Sequence, residues 1–568
     1  MKKTLQHFIL GSCMLLTGIS NAQTTVTGPS SSQTAYLIPS TPNTTIVSVF
    51  TASQTAGSYT MSGLMDGMGA FDNGDGTFTA LIAHEMGSSA GATHAHGSVG
   101  AFVSKWIINK SNLSVVSGSD LIQNVNIWNG TGYTTYNASN TSTLAAINRL
   151  CSADLPAVTA FYNSTSGNGT QNRIFMSGEE AGSEGRCFAH IVTGASAGTS
   201  YQLPYLGRFS WENAVASPFK QDKTIVVGTD DATPGQVYVY IGTKTNSGSD
   251  IDKAGLTGGN LYGVAVTGMP TETSSLVIPA NTTFSLVNLG NVSAVSGASL
   301  NTMSNALSIT NFIRPEDGTW DPSAPNDFYF VTTNAFNSPS RMYRLRFNNI
   351  ATPENGGTIT AVLDGTEGQQ MMDNIGIDGN GHILIQEDPG NQSYNAKIWQ
   401  YDIATDVFTQ LASHDPARFI TGGGSFLTQD EESSGIIDMH NILGPGWFLF
   451  ADQAHYSVPS PVVEGGQLLA LYKPALATGV SAISKTNNEF NLYPNPANGN
   501  VTLAYDFINS TDISIKVSDI QGRVIFETRE NVSSNIVNIN TSNLTSGIYI
   551  VEVQSAEFLS QKKLVINH

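Results

Sequence analysis

Six short apolar runs that each stop on oxygen-bearing side chains constrain the fold of this chain more than any other feature. They are GTFTALIAHE ending at Glu85, NRIFMSGEE at Glu180, KTIVVGTDD at Asp231, NDFYFVTTN at Asn334, GHILIQED at Asp388 and GWFLFADQ at Gln453. Each has the length of a buried strand, and turn-rich sequence such as DNGDG, TPGQ and DGNGH lies beside them. Their spacing is irregular, roughly 50 to 100 residues, unlike the even period of a WD-repeat protein. Strands that end alike predict radial repetition: an all-β, six-bladed β-propeller with large insertions, in which each run supplies the inner strand and the polar endings converge on one mouth of a central channel.

The rest of the chain agrees with an exported β-protein. At 568 residues it exceeds one ordinary core, and its 56 glycines favour short strands joined by turns. A formal charge of −19 excludes nucleic acid and anionic membranes as partners and suits a protein that binds cations. Two lysines, an apolar stretch from Phe8 to Ile19 and a small-residue junction at Asn21-Ala22-Gln23 predict a signal peptide over residues 1–22. No later stretch has the length of a transmembrane segment. Only Cys151 and Cys187 then remain, and export permits one disulfide between them without requiring it.

Composition shifts near Lys473. A propeller is expected over residues 23–473, a small-residue linker over 474–488, and a small β-sandwich over 489–568, where segments alternate apolar and polar residues between Gly, Asn and Pro. That last stretch carries Tyr493-Pro494-Asn495-Pro496, Asp519 with Gly522-Arg523, Leu544, Gly547-Ile548-Tyr549 and Lys563-Leu564-Val565. It resembles the type A C-terminal sorting domain of the type IX secretion system. The resemblance implies the type IX machinery as a partner and passage through periplasm and outer membrane to the cell surface or medium.

Glu85, Glu179, Glu180, Asp230, Asp231, Glu387 and Asp388 around one channel repel one another unless cations neutralise them. Calcium, with its six to eight oxygen ligands, is the obvious candidate. Trp211-Glu212-Asn213, Arg314-Pro315-Glu316-Asp317 and Asp373-Asn374 offer further ligands; Asp430-Glu431-Glu432 resembles a sixth acidic cluster and reads first as a solvated face, with SSGIIDM after it as the route by which Glu431 or Glu432 would reach the channel.

The ordered set HE, CSADLPAVTAFY, GEE, LGRFSWEN, GTDD with YVYIGTK, RPEDG and MDNIGIDGNGHILIQED, over most of residues 30–460, resembles the PhoX-type alkaline phosphatases, which are six-bladed propellers. The resemblance implies a phosphoric ester hydrolase with calcium and ferric iron in the channel. It places Cys151 at the iron-ligating thiolate and Glu179, Glu212, Glu316, Asp373 and Glu387 at acidic motif positions, with Glu180, Asp230, Asp231 and Asp388 as further ligands. Glu85, Asn213 and Asn374 are possible additions, and Arg314 is the phosphate clamp; Arg208 and Lys244 are other basic candidates. The chain departs from the family pattern at Ala83, Gly178 and Trp211, and at Ser152-Ala153, where the family tends to have Gly-Gly after the cysteine, positions expected to surround the substrate pocket. Two other readings stand beside the phosphatase: a non-catalytic calcium-stabilised surface-binding propeller, and another calcium-dependent propeller hydrolase of lactonase or phytase type. Bound iron separates the first from both, because an all-oxygen site selects calcium and has no use for a thiolate.

Overall fold

The computed structural model describes residues 24–477 except Val277, and 490–568 except 506–511, 520–522, 532–535 and 555–558. The expected signal peptide, most of the linker and Gly522 lie outside the described residues. Two compact units are present, Met1–Thr478 and Gly479–His568.

Twelve strands of the first unit position the site. They form six consecutive antiparallel pairs: β1 (Met65–Asp72) with β2 (Thr77–His84), β3 (Leu150–Asp154) with β4 (Ile174–Glu179), β5 (Trp211–Ala216) with β6 (Lys223–Asp230), β7 (Pro315–Trp320) with β8 (Asp327–Thr332), β9 (Met372–Ile377) with β10 (His382–Glu387), and β11 (Glu432–Asp438) with β12 (Trp447–Ser457). The odd-numbered strands neighbour one another in sequence order, and β11 returns to β1, closing a ring. This is the six-bladed propeller, with further strands outside each pair. The sixth blade is completed from the other end of the chain, because Thr45–Thr51 pairs antiparallel with Glu464–Tyr472. The outer strands of blades three and four pair with each other as well, at Thr282–Gly290 and Gly357–Leu363, merging two blades into a nine-stranded sheet.

One expectation is corrected. The six apolar runs are β2, β4, β6, β8, β10 and β12, the second strands, and not the strands that line the channel. Their hydrophobic character has a direct cause: a second strand is sandwiched between blades on both faces, as the Val226 and Val227 sides of β6 show by packing into two different cores. The innermost strands are polar, reading MDGM, LCSA, WENA, PEDG and MDNI around their first turn into the channel. Their backbone is also irregular. A β-bulge interrupts each ladder at the equivalent place, between Met65 and Met68, Leu150 and Ala153, Trp211 and Ala214, Pro315 and Gly318, and Met372 and Ile375. In the sixth blade it falls between Ser434 and Ile437. A bulge sets two residues of one strand opposite one of its partner and re-aims the side chains.

The second unit contains a three-stranded and a four-stranded antiparallel sheet, with Phe490, Val501, Leu503, Val517, Val551 and Leu564 in its core. No helix among the described residues is long and apolar enough to cross a membrane.

Candidate metal centre

In blades one to five the first residue of the bulge faces the channel mouth: Asp66, Cys151, Glu212, Glu316 and Asp373, all buried except Asp373, which is half-buried. The residues just after the second strands meet them there. Glu85, Glu180, Asp231 and Asp388 follow β2, β4, β6 and β10, and the backbone N–H of each donates to the carbonyl of the residue two before the bulge acid: Leu64, Arg149, Ser210 and Met371, at 2.8–3.0 Å. Blade four repeats the bond from Thr333 to Arg314 but has no acid at that position.

All of these acids and Cys151, except Asp66, line a cavity of about 440 Å³ with ten carboxylates, among them Glu85, Glu180, Glu212, Asp231, Glu316, Asp373, Asp388 and Glu432. Against them stand Arg149, Arg314 and His455. Arg314 forks onto Asp231 (2.8 and 3.1 Å) and reaches Glu316 (3.0 Å); Arg149 Nη2 contacts Glu85 (2.5 Å) and Glu180. Two donor groups converge tightly enough for an ion. In Asp66, Glu85 and Cys151, and again in Glu212, Asp231 and Glu316, one ligand atom from each residue lies within 4.8 Å of the others. Asp66 Oδ1 is buried without a hydrogen-bond partner, and Oδ2 accepts from Cys151 Sγ (3.3 Å) and Gln453 Nε2 (3.2 Å). A buried carboxylate oxygen left bare is costly unless a cation meets it.

The electrostatics carry the same mark. Burial, then neighbouring carboxylates, pushes Asp66, Glu212, Glu316 and Asp373 well above the usual carboxylate range, and Glu180 up to about 8. Burial and Asp66 raise the Cys151 thiol in the same way. Such a set takes up protons unless metal ions replace them.

Several sequence candidates face elsewhere, and strand alternation is the reason. Glu179, Asp230 and Glu387 sit one residue before the cavity acids and therefore point to the opposite side. Glu179 is locked by Arg186 (2.5 and 2.6 Å) and the Asn148 N–H (2.9 Å). Asp230 accepts from the Ser210 N–H (3.1 Å), and Glu387 from Trp399 Nε1 (2.8 Å), Tyr394 and the N–H groups of Gln370 and Lys397. These three brace loops. Asn213 and Asn374, second residues of their bulges, tie into a hydrogen-bonded girdle below the mouth, to Asp317 (2.6 Å) and to Ser152. Asn334 bonds Ser274 and the Pro339 carbonyl and does not line the cavity. Arg208 pairs with Glu184, and Lys244 is buried against the Lys223 carbonyl, so neither reaches the mouth.

Sequence reasoning passed over Asp66, Arg149 and His455, and favoured a solvated face for Glu432. Asp66 carries a legible signal: it stands nineteen residues before Glu85, as Glu212 does before Asp231. Glu432 is buried rather than solvated, because β11 carries it into the mouth. Of the departures from the family pattern, Ala83, Gly178 and Trp211 prove to be a layer behind the cavity, while Ser152 bonds the cavity acid Glu212. Ala83 is in the core between blades one and two. A Cβ on Gly178 would approach Trp211 Cβ to 2.2 Å, and one on Gly228 would meet the same indole at 2.5 Å. Trp211 and the two glycines are therefore a matched set, packed on Phe209 with ring centroids 3.9 Å apart. Cys151 and Cys187 are both free thiols, and no disulfide joins them.

Residues 195–418 match the family model of the alkaline phosphatase PhoX. PhoX from Pseudomonas fluorescens, solved in complex with vanadate as a transition-state analogue, superposes over 81% of this chain and 99% of its own with a TM-score of 0.52 at 13% identity. The propeller is thus similar to PhoX in sequence over residues 195–418 and in fold over most of its length. Extracellular domains 1–2 of Drosophila semaphorin 1a align over 74% of this chain and 87% of theirs, with 9% identity and a TM-score of 0.28, too low to carry an argument. No curated protein matches. Residues 491–567 match the secretion-system C-terminal sorting domain, which directs the chain by the type IX route to the cell surface or beyond. The chain thus joins a propeller with a PhoX-type phosphatase match to a C-terminal secretion sorting domain.

Proposed function

We propose that the channel mouth holds calcium and ferric iron and hydrolyses phosphomonoesters outside the cell, with phosphodiesters as a second substrate class. The observation that carries this reading is the pair of three-residue donor groups in one cavity, one containing a thiol and the other oxygen only. Cys151 beside Asp66 and Glu85 is a donor set for iron; Glu212, Asp231 and Glu316 form a set for calcium. Glu180, Asp373, Asp388 and Glu432 remain to complete either shell. Bound there, the metals supply Lewis-acid polarisation of the phosphoryl group and neutralise its oxygens.

The chain's own groups do the positioning. Ser152 Oγ donates to Glu212 Oε1 at 2.5 Å, and Asn374 Nδ2 donates in turn to Ser152, fixing the Glu212 carboxylate from below. Gln453 Nε2 spans oxygens of Asp66, Glu85 and Glu432 at 3.2–3.3 Å and ties blades one and six together. Arg314 presents a guanidinium fork to phosphoryl oxygens. Metal analysis of the mature protein, paired with hydrolysis of 4-nitrophenyl phosphate before and after chelation, tests the proposal. Iron with calcium and chelator-sensitive turnover is the expected result; calcium alone with no turnover sinks it in favour of a binding propeller.

A further inference from the structure

The blades repeat one another closely enough that a residue's role can be read from its counterpart. Arg314 stands two residues before the bulge acid Glu316, in the left-handed region at φ 54°. Arg149 stands two residues before Cys151, the first bulge residue of β3, at φ 48°. Leu64 and Met371 occupy the same place in blades one and five, also with positive φ, but carry no charge. A left-handed conformation is rare for a side chain of this size and is held here by the bond each carbonyl accepts, 2.9 Å from Glu180 N to Arg149 and 2.9 Å from Thr333 N to Arg314. Only blades two and four place a guanidinium at this position.

The two side chains are used alike. Each contacts cavity carboxylates through Nη2 and places Nε on an oxygen, Arg314 on Asp231 and Arg149 on the Glu180 carbonyl at 3.2 Å. Each leaves Nη1, with two N–H groups, without a hydrogen bond to any described residue. Both line the same cavity, and both keep part of their surface open, 46% of the Arg149 side chain and 30% of that of Arg314. A planar fork with free donors in a water-accessible cavity is suited to tetrahedral oxyanions.

We infer that Arg149 is a second phosphoryl-binding residue, the counterpart of Arg314, so that a phosphate dianion is gripped between guanidiniums from blades two and four. The inference rests on the proposed phosphatase function and names how that site selects its substrate. Two cationic forks complement the two charges of a monoester phosphoryl group, whereas a diester offers one charge and fewer free oxygens.

The test uses the metal-loaded mature protein and its Arg149→Gln and Arg149→Lys variants, with Arg314→Gln as reference. Binding of inorganic phosphate is measured by calorimetry, alongside metal content, melting temperature, and hydrolysis of 4-nitrophenyl phosphate and bis(4-nitrophenyl) phosphate. Arg149→Gln is expected to weaken phosphate binding roughly 10- to 100-fold at wild-type metal content, and to raise KM for the monoester more than for the diester, with partial recovery in Arg149→Lys. If Arg149 only balances Glu85 and Glu180, the variant loses metal or melts early, and restoring the metal restores wild-type phosphate affinity; that result overturns the inference. Wild-type turnover with phosphate affinity in Arg149→Gln changed by less than about twofold overturns it too, while leaving the phosphatase reading intact. A wild-type protein that neither binds phosphate nor hydrolyses either ester ends both.

Discussion

The two ends of the propeller channel are built from the same strands and differ in almost every chemical respect. At the mouth, the first bulge residues and the tips of the second strands form a cavity of about 440 Å³ in which ten carboxylates face three cationic side chains. A few residues along, the second bulge residues open on a smaller cavity of about 210 Å³, lined by Ser152, Asn213, Asp317 and apolar residues such as Val215, Ile375 and Ile436. The lower girdle pairs most of its groups with one another, Asn213 onto Asp317, Asn374 onto Ser152, and the Ile375 N–H onto Asp317 at 3.0 Å, with the neutral Asn374 Oδ1 left over. The mouth does not, and Asp66 Oδ1 is the plainest case. Polar groups paired with one another stabilise a channel, whereas an uncompensated acidic set attracts cations. A step of one residue along a bulged strand separates the two.

The largest effect that sharpens this contrast is metal removal. Chelation should reduce hydrolysis of 4-nitrophenyl phosphate to background while leaving the far-end girdle, and with it the fold at pH 5, in place by circular dichroism. Cys151→Ala comes next: loss of iron, read by metal analysis, with kcat/KM down by at least about 100-fold, since a ligand matters no less than the groups behind it. By contrast, Glu179→Gln, one residue from the cavity acid Glu180, should cost about 3 kcal/mol of stability by leaving Arg186 unpaired, with metal content unchanged.

The pH dependence of the metal-free protein separates the ends again. Glu180 is raised to about 8, and Asp154 at the far end to about 7, both first by burial. A carboxyl whose folded value lies above its unfolded one binds more protons folded, so stability is present at low pH and is lost as pH rises from about 4 to about 8, at up to roughly 1.4 kcal/mol per unit for each group. Melting temperature should therefore fall over that window in chelator, and added calcium should flatten the mouth's contribution but not that of Asp154. The smallest effect is expected for Ser152→Ala, which cuts the hydrogen bond from the girdle to Glu212: metal affinity should drop about tenfold, measured by competition with a calcium indicator.

Much of this was legible before folding. Apolar runs of buried-strand length, repeated six times with polar endings, announce radial repetition because a strand covered on both faces has to be apolar throughout. Acids after those runs, and acids in the WEN, RPED and MDN loops, announce a cation site because so many carboxylates near one axis demand neutralisation. The lining strands were less legible, since a strand facing a polar channel loses the hydrophobic alternation by which strands are recognised. Asp66 was hidden in MDGMGA for that reason, and Glu432 in a run of three acids indistinguishable from a solvated face.

What the amino-acid order determined by itself was the inventory: six blades, an export domain, and more carboxylates than the chain has means to pair. Which of two adjacent acids serves the site was decided only in three dimensions. Glu179 and Glu180 are alike in composition and nearly alike in position, but strand alternation sends one onto Arg186 and the other into the cavity. The same holds for Arg149. A local sequence shows no more than an arginine before a cysteine; its equivalence to Arg314 exists only because the bulges and ring closure bring two distant blades to face each other across one mouth.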